Sequence, residues 1–261
     1  MESVTRAADL PATARARAAE VALAQRTALV RQLEQLEPEQ WLVVTECHPW
    51  RVRDIAAHIA GELVYARNPL AYLGLVATWL RRFRGRSFLD GTNEAALWTR
   101  RDWTTAQLLD ALRRDAPRAV PPAWARPLPL AGVAQLPRDA TFGDLADIVL
   151  PRDCWMHRRD IARAVGTPEE PDASDSEVVA QVVRDLGRAW NGPDAVLSLT
   201  GPGGGSWRLG AAPGRDTSDV VAEIDATEFL RLLSGRRTDP RLLDSVPQPL
   251  ADQLAAARVT F

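Results

Sequence analysis

Residues 142–166 read FGDLADIVLPRDCWMHRRDIARAVG, and their apolar positions recur at the spacing of an amphipathic helix. Pro151 is predicted to kink or restart this helix, and Gly166 followed by Pro168 is predicted to end it. The face that should turn inward carries Leu150, Cys154, Ile161 and Ala164.

Three further helical segments precede this one. Their apolar stripes predict helices over about 12–36, from residue 52 to an interruption at Asn68-Pro69, and over about 93–119. No strand pattern competes with them. Four helices with apolar inner faces assemble most simply as a bundle.

The pattern changes after a segment rich in proline and acidic residues at 167–174. Beyond it we expect a helix to Trp190, strands at 196–200, around 207–209 and at 220–224, and a short helix that Thr227 caps and Gly235 ends. The sequence therefore predicts two domains, a helical bundle over 1–170 and a smaller α+β domain over 171–261.

Composition narrows the class of protein. The 261 residues carry a formal net charge of -2, which gives no general attraction to nucleic acid or to an anionic membrane. Two cysteines are too few for a disulfide scaffold, and neither a secretory signal nor a membrane-spanning stretch is evident. We expect a soluble cytoplasmic protein.

The chain has three histidines, and two of them have carboxylates at helical spacing. His157 lies four residues after Asp153, so both side chains share the face that should be buried. His58 lies beside Ile55 and Ile59 on the inner stripe of the second helix. Burying these polar groups is costly unless they pair with each other or share a cation.

Two histidines and one carboxylate leave a coordination position open, as in a catalytic divalent metal site, and zinc is the first candidate. Asp54 and Glu62, each four residues from His58, are rival ligands, while Asp160 is placed to orient an imidazole. From spacing alone, an ordinary Asp153–His157 pair with His58 as a hydrogen-bonded core histidine is the commoner arrangement.

Two stretches resemble the metal motifs of the mycothiol-dependent maleylpyruvate isomerase family, within the DinB-like superfamily. The first is WRVRDIAAHIAG at residues 50–61, and the second is RDCWMHRRDIARAVG at residues 152–166. The resemblance implies a metal held by His58, Asp153 and His157, while Asp54 and Asp160 remain candidate cofactor-site residues from their spacing to the histidines. The family typically has glutamate where this chain has the shorter Asp153, and a helix-capping threonine where it has Arg51.

The resemblance also implies a second domain related to sterol-carrier proteins. There, LLSGRR at residues 232–237 resembles a segment whose arginine approaches the active site, which makes Arg236 a candidate catalytic residue. An arginine that helps to cap a helix C-terminus is the alternative interpretation.

The activity implied is that of an isomerase or S-transferase. A low-molecular-weight thiol, mycothiol in actinobacteria, would bind the metal as thiolate and add to an electrophilic enoyl or keto acid-like small molecule. Two other classes remain open: a metal-dependent hydrolase that uses metal-bound water, and a non-catalytic small-molecule-binding protein.

Other features are predicted to be structural. The glycine run at 201–205 favours a hairpin turn over a phosphate loop, and the arginine-rich run at 81–86 is typical of a solvated loop. Cys154 suits a small buried position, and nothing in the sequence supplies Cys47 and His48 with further ligands.

Overall fold

The computed structural model describes residues 4–130, 140–210 and 221–261. The chain divides into two compact units. The helical unit comprises Arg15–Glu169, and the α/β unit comprises Glu170–Phe261 together with the described residues up to Ala14. None of the helices in these described stretches combines the length and apolar character needed to span a bilayer.

Among its described residues, the helical unit has seven α-helices and one π-helical segment. They are α1 (Arg15–Glu34), α2 (Val52–Arg67), α3 (Pro69–Arg82), α4 (Phe88–Trp98), α5 (Thr105–Asp115), α6 (Phe142–Asp144), the π-helical Leu145–Val149, and α7 (Leu150–Val165). The predicted interruption at Asn68-Pro69 is confirmed, because the Asn68 side chain accepts hydrogen bonds from the first backbone N–H groups of α3.

One apolar core lies between α1, α2, α5 and α7. It contains Leu29 and Leu33 of α1, Ile55, Ile59 and Leu63 of α2, Leu108 and Leu112 of α5, and Ile161 of α7. The expected inner stripes of the first, second and fourth helical segments therefore lie in this core or, as with Leu150 and Ala164, are partly buried against it, and the prediction of a helical bundle is confirmed.

The predicted third helix is wrong in detail. The segment over 93–119 is divided between α4 and α5, since Thr104 forms a capping box with Gln107 and starts a new helix. In addition, α3 packs against α4 through Leu75, Ala95 and Ala96.

The helix that carries Asp153 and His157 is α7, which begins one residue before Pro151, close to the predicted restart. Pro151 lies in the first turn of α7, directly after the π-helical segment, and as a proline it has no N–H to donate to the preceding turn. Gly166 ends α7 in the left-handed conformation with φ of 73°.

The α/β unit contains α8 (Asp175–Ala189), β1 (Ala195–Thr200), β2 (Gly205–Leu209), β3 (Val221–Asp225), α9 (Ala226–Leu233) and α10 (Gln248–Ala256). Its sheet has the order β2-β1-β3. β1 and β2 form an antiparallel hairpin across the glycine run, as predicted, and β1 pairs in parallel with β3.

One predicted detail of this unit is wrong, and another concerns a residue that the structure does not describe. Asp225 caps α9 by accepting the Glu228 N–H, so the predicted cap at Thr227 is displaced by two residues. Val220, the predicted start of the third strand, lies outside the described residues.

The residues before α1 belong to the α/β unit. The Arg208 N–H of β2 donates to the Thr5 carbonyl, and the Gln181 side chain of α8 donates to the Thr13 hydroxyl. Ala7 is fully buried in this unit. The α/β unit is therefore built from two separate segments of the chain, one before and one after the helical unit.

Candidate metal centre

Helices α2 and α7 bring His58, Asp153 and His157 together. Each of these residues is less than 9% exposed, and their candidate ligand atoms lie within 4.8 Å of one another. The Nε2 atom of His58 lies 3.1 Å from Oδ2 of Asp153, and the Nε2 atom of His157 lies 3.3 Å from the same oxygen. Two imidazoles therefore converge on one carboxylate oxygen.

These distances suit a shared cation. Donor atoms about 2 Å from a tetrahedral metal ion lie about 3.3 Å from each other, which matches the separations between the two Nε2 atoms and Oδ2. The donor set, two imidazoles and one carboxylate, is typical of zinc and similar divalent ions. Asp153 thus reaches both rings with its short side chain.

Glu62 borders the same site from α2. Its Oε1 atom lies 3.3 Å from Nε2 of His58, and burial raises the pKa of its carboxyl group above the ordinary value. The sequence marked Glu62 as a rival ligand, and the structure places it against His58.

The electrostatics of the site favour a cation. Burial opposes protonation of His58, but the charges of Glu62 and Asp153 outweigh it and raise the pKa of His58 to about 9. For His157, burial is likewise outweighed, here by Asp153, Cys47 and Asp160, and its pKa lies well above the ordinary value. Positive charge is therefore stabilised where the two rings meet.

The outer nitrogen of His157 is also held in place. Its Nδ1–H donates to Oδ2 of Asp160 at 3.0 Å, and the Asp160 side chain is fully buried. This agrees with the expectation that Asp160 orients an imidazole. The corresponding Nδ1 of His58 is buried and has no hydrogen-bond partner among the residues that the structure describes.

Cys47 and Trp50 are site residues that sequence reasoning missed. The Cys47 Sγ lies 3.4 Å from Oδ2 of Asp160 and 3.9 Å from Nδ1 of His157, which corrects the expectation that Cys47 has no further candidate ligands near it. The Trp50 ring packs on both histidine rings, with centroid distances of 5.0 and 5.9 Å. Spacing cannot reveal contacts across 110 residues, although Trp50 is the first residue of the first motif and Cys47 lies shortly before it.

Asp54 is placed differently from the other candidates. Its carboxylate accepts the backbone N–H of Arg51 at 3.0 Å and pairs with the Arg53 guanidinium at 3.2 Å. Asp54 therefore caps the start of α2, with its backbone partner at the position where the family has threonine.

Arg236 lies in the α/β unit, just beyond α9. Its backbone N–H donates to the Arg231 carbonyl at 3.0 Å, after Gly235 in the left-handed conformation. Burial, and then the charge of Arg236, lower the pKa of Arg231 to about 10. Two guanidinium groups therefore interact in this part of the α/β unit.

Cys154 lies in the core, as the sequence predicted. It is 1% exposed, and burial raises the pKa of its thiol to about 12. A thiol in this state is a poor nucleophile at neutral pH.

Comparison with known proteins agrees with this architecture. The family model described as "Mycothiol maleylpyruvate isomerase N-terminal domain" matches residues 22–162, which is more than half of the chain. No curated protein matches the chain.

Two solved structures share the fold. The chain is similar to the crystal structure of the mycothiol-dependent maleylpyruvate isomerase with a TM-score of 0.52, and to that of a histidine-to-alanine mutant with a TM-score of 0.53. Identity is 17% in both comparisons, which cover 90% of this chain and 93% of each matched chain. With the family match over α2 and α7, the chain belongs to the mycothiol maleylpyruvate isomerase N-terminal domain family.

Proposed function

We propose that this protein is a metal-dependent enzyme that uses a mycothiol-type thiol and acts on an electrophilic enoyl or keto acid-like small molecule. It either isomerises this substrate or, as an S-transferase, joins the thiol to it as a thioether. The observation that carries the proposal is the convergence of the His58 and His157 Nε2 atoms on one oxygen of Asp153. Membership of the family supports the thiol and the reaction class.

His58, Asp153 and His157 would hold the metal, with zinc as the proposed ion. When bound, such a cation supplies the charge that keeps a thiol sulfur deprotonated at neutral pH. Asp160 holds the His157 ring in the orientation that directs Nε2 toward Asp153. Trp50 packs against both rings and limits their movement.

The proposed reaction needs no redox partner. The thiolate sulfur adds to the conjugated carbon, and the electron pair moves to the carbonyl oxygen of the substrate. Rotation about the resulting single bond and departure of the thiolate regenerate the double bond in the other geometry. If the thiolate does not depart and the adduct takes up a proton, the product is the thioether of an S-transferase.

We further propose that Arg236 binds the substrate carboxylate. A guanidinium suits this role because it keeps its charge and presents donors in a planar fork. Burial is the main cause of the lowered pKa of Arg231, and the charge of Arg236 is the second, which places the Arg236 charge near Arg231 in this part of the α/β unit. A content of two cysteines, too low for a disulfide scaffold, supports the proposal of a reducing, cytoplasmic location.

Metal analysis tests the central claim. The wild type, His58→Ala and His157→Ala would be reconstituted with zinc, desalted and measured by elemental analysis. His48→Ala is the matched control, because His48 is the remaining histidine and is exposed. We expect close to one zinc per chain in the wild type and in the control, no zinc in His157→Ala, and clearly less zinc in His58→Ala than in the wild type.

Assays with and without thiol then test the chemistry. Turnover of electrophilic acids that requires added thiol supports the proposal. Zinc-dependent turnover without thiol would replace it with the hydrolase, and equal zinc in all four proteins, or none in any, would leave the binding protein as the better interpretation.

A further inference from the structure

A second group of possible metal ligands lies on the other side of the His157 ring. We define the Cys47 set as Cys47, His157 and Asp160, whose candidate ligand atoms also lie within 4.8 Å of one another. It uses Nδ1 of His157, whereas the set with His58 and Asp153 uses Nε2. The two sets thus share one imidazole through its two nitrogens.

The spacing of the three atoms fits a metal ion. Nδ1 and Oδ2 are 3.0 Å apart, Oδ2 and Sγ 3.4 Å, and Sγ and Nδ1 3.9 Å. A point in the plane of this triangle lies about 2 Å from all three atoms, close to zinc–nitrogen and zinc–oxygen bond lengths, and a small displacement reaches the zinc–sulfur length of about 2.3 Å. No side chain has to move far to become a ligand.

The chemistry and burial of the set favour a borderline or soft cation. A thiolate, an imidazole and a carboxylate suit zinc, cobalt or cadmium better than magnesium or calcium. His157 and Asp160 are buried, whereas Cys47 is half-buried and lies in the loop before α2. An ion can therefore approach from the cysteine side.

We propose that the Cys47 set is a second cation site, which binds a borderline or soft divalent metal through Cys47 Sγ, His157 Nδ1 and Asp160. Binding starts from the imidazolium form of His157: the metal displaces the Nδ1 proton, the Nε2–H remains and the ring becomes neutral, and the Cys47 thiol proton is displaced as well, so that two protons pass to solvent. Because one neutral imidazole offers one lone pair, each ion occupies either this site or the site with His58 and Asp153. The inference does not depend on the proposed reaction.

Cobalt(II) distinguishes the two positions by spectroscopy. A thiolate ligand gives a sulfur-to-cobalt charge-transfer band in the near ultraviolet, which a site of only histidine and aspartate ligands cannot give. His58→Ala dismantles the first set and leaves the Cys47 set intact. We therefore expect His58→Ala to bind cobalt(II) with the charge-transfer band, and at least as strong a band per bound ion as the wild type shows.

Cysteine variants identify the ligand. In the His58→Ala background, Cys47→Ser should lose the band and weaken cobalt binding at least tenfold, whereas Cys154→Ala should keep the band. Circular dichroism and thermal unfolding would show that each variant is folded. For a variant that fails to fold, the wild-type chain with Cys47 blocked by alkylation gives the same comparison.

Two results would overturn the inference. The first is cobalt bound to the wild type with ligand-field bands but no charge transfer, together with no cobalt bound to His58→Ala. That result would leave the metal site of the proposed function standing. The second is a band that survives Cys47→Ser and disappears in Cys154→Ala.

Discussion

Asp160 and His157 form a buried pair in which Oδ2 of Asp160 lies 3.0 Å from the Nδ1 of His157. The other nitrogen of the ring faces Asp153 at 3.3 Å. The imidazole is thus fixed between two carboxylates of the same helix, and its tautomer is set by the residue three positions later.

Replacing Asp160 should weaken metal binding without removing a ligand of the first set. We expect Asp160→Asn to lower zinc affinity about 10–100-fold, because the amide no longer enforces the Nδ1–H tautomer of His157. Asp54→Asn is the control, since Asp54 caps α2, and it should cost about 1 kcal/mol of stability with zinc affinity nearly unchanged. Competition against a chromophoric chelator measures the zinc affinity of both variants. Equal affinity in Asp160→Asn and the wild type would refute the role of Asp160.

Stability of the metal-free protein should fall as the pH rises from about 6.5 to 9. His58 has a pKa of about 9 in the folded protein and about 6.5 when unfolded, so the folded state binds more protons in that window. The contribution of His58 is present below pH 6.5 and is lost through pH 9, with an upper limit of about 3 kcal/mol. The raised pKa values of His157 and Glu62 act in the same direction.

Urea unfolding in the presence of a chelator, at pH 6.5 and pH 9, measures this effect. His58→Gln should reduce the difference between the two pH values, because it removes the group whose pKa is raised by the carboxylates. A metal-free wild type that is equally stable, or more stable, at pH 9 would contradict the expectation.

The two thiols should differ in reactivity. At pH 8 we expect iodoacetamide to modify Cys47 and to leave Cys154 unmodified, because Cys154 is buried and its thiol has a pKa of about 12. Peptide mass spectrometry of the folded protein gives both extents of labelling. Unfolding in urea should make the two cysteines react alike, and prompt labelling of Cys154 in the folded protein would show that α7 opens.

Packing of the segment before α1 against α8 should be sensitive to one glycine. A Cβ atom at Gly187 would lie 2.6 Å from the Ala7 Cβ and from the Ala8 backbone nitrogen, so Gly187→Ala should destabilise the α/β unit by about 1–3 kcal/mol. Gly74→Ala is the control on α3, where a Cβ atom meets nothing within 4 Å, and it should stabilise by up to about 1 kcal/mol. Thermal unfolding compares them, and equal shifts would show that Ala7 does not pack on α8.

Periodicity predicted the helices whose inner faces are buried, and it failed where burial is incomplete. The stripes of α2 and α7 were predictable because Ile55, Ile59 and Ile161 recur at helical spacing and enter one core. The helix α3 was not predicted, since Leu70 and Leu73 remain 73% and 61% exposed and its sequence marks no polar face. The break between α4 and α5 depends on a local cap at Thr104 within a run of helix-forming residues.

The candidate ligands could be predicted from spacing within each helix, but the contact between ligands of different helices could not. Asp153 and His157 share a face because they are four residues apart, whereas His58 lies 95 residues from Asp153 and meets it only through packing of α2 on α7. Cys47 comes from a loop, where no period indicates which way a side chain turns. Its contact with Asp160 is therefore visible only in three dimensions.

The path of the chain makes the helical unit an insertion within the α/β unit. The backbone passes between the units twice, once at Ala14–Arg15 and once at Glu169–Glu170. A single proteolytic cut at Glu169–Glu170 would separate residues 170–261 covalently from the helical unit, and the hydrogen bonds and packing of the segment before α1 on α8 and β2 would still hold the two pieces together. The two pieces would therefore part only when that segment detaches from α8 and β2, whereas a unit attached by a single linker would be released by the cut itself.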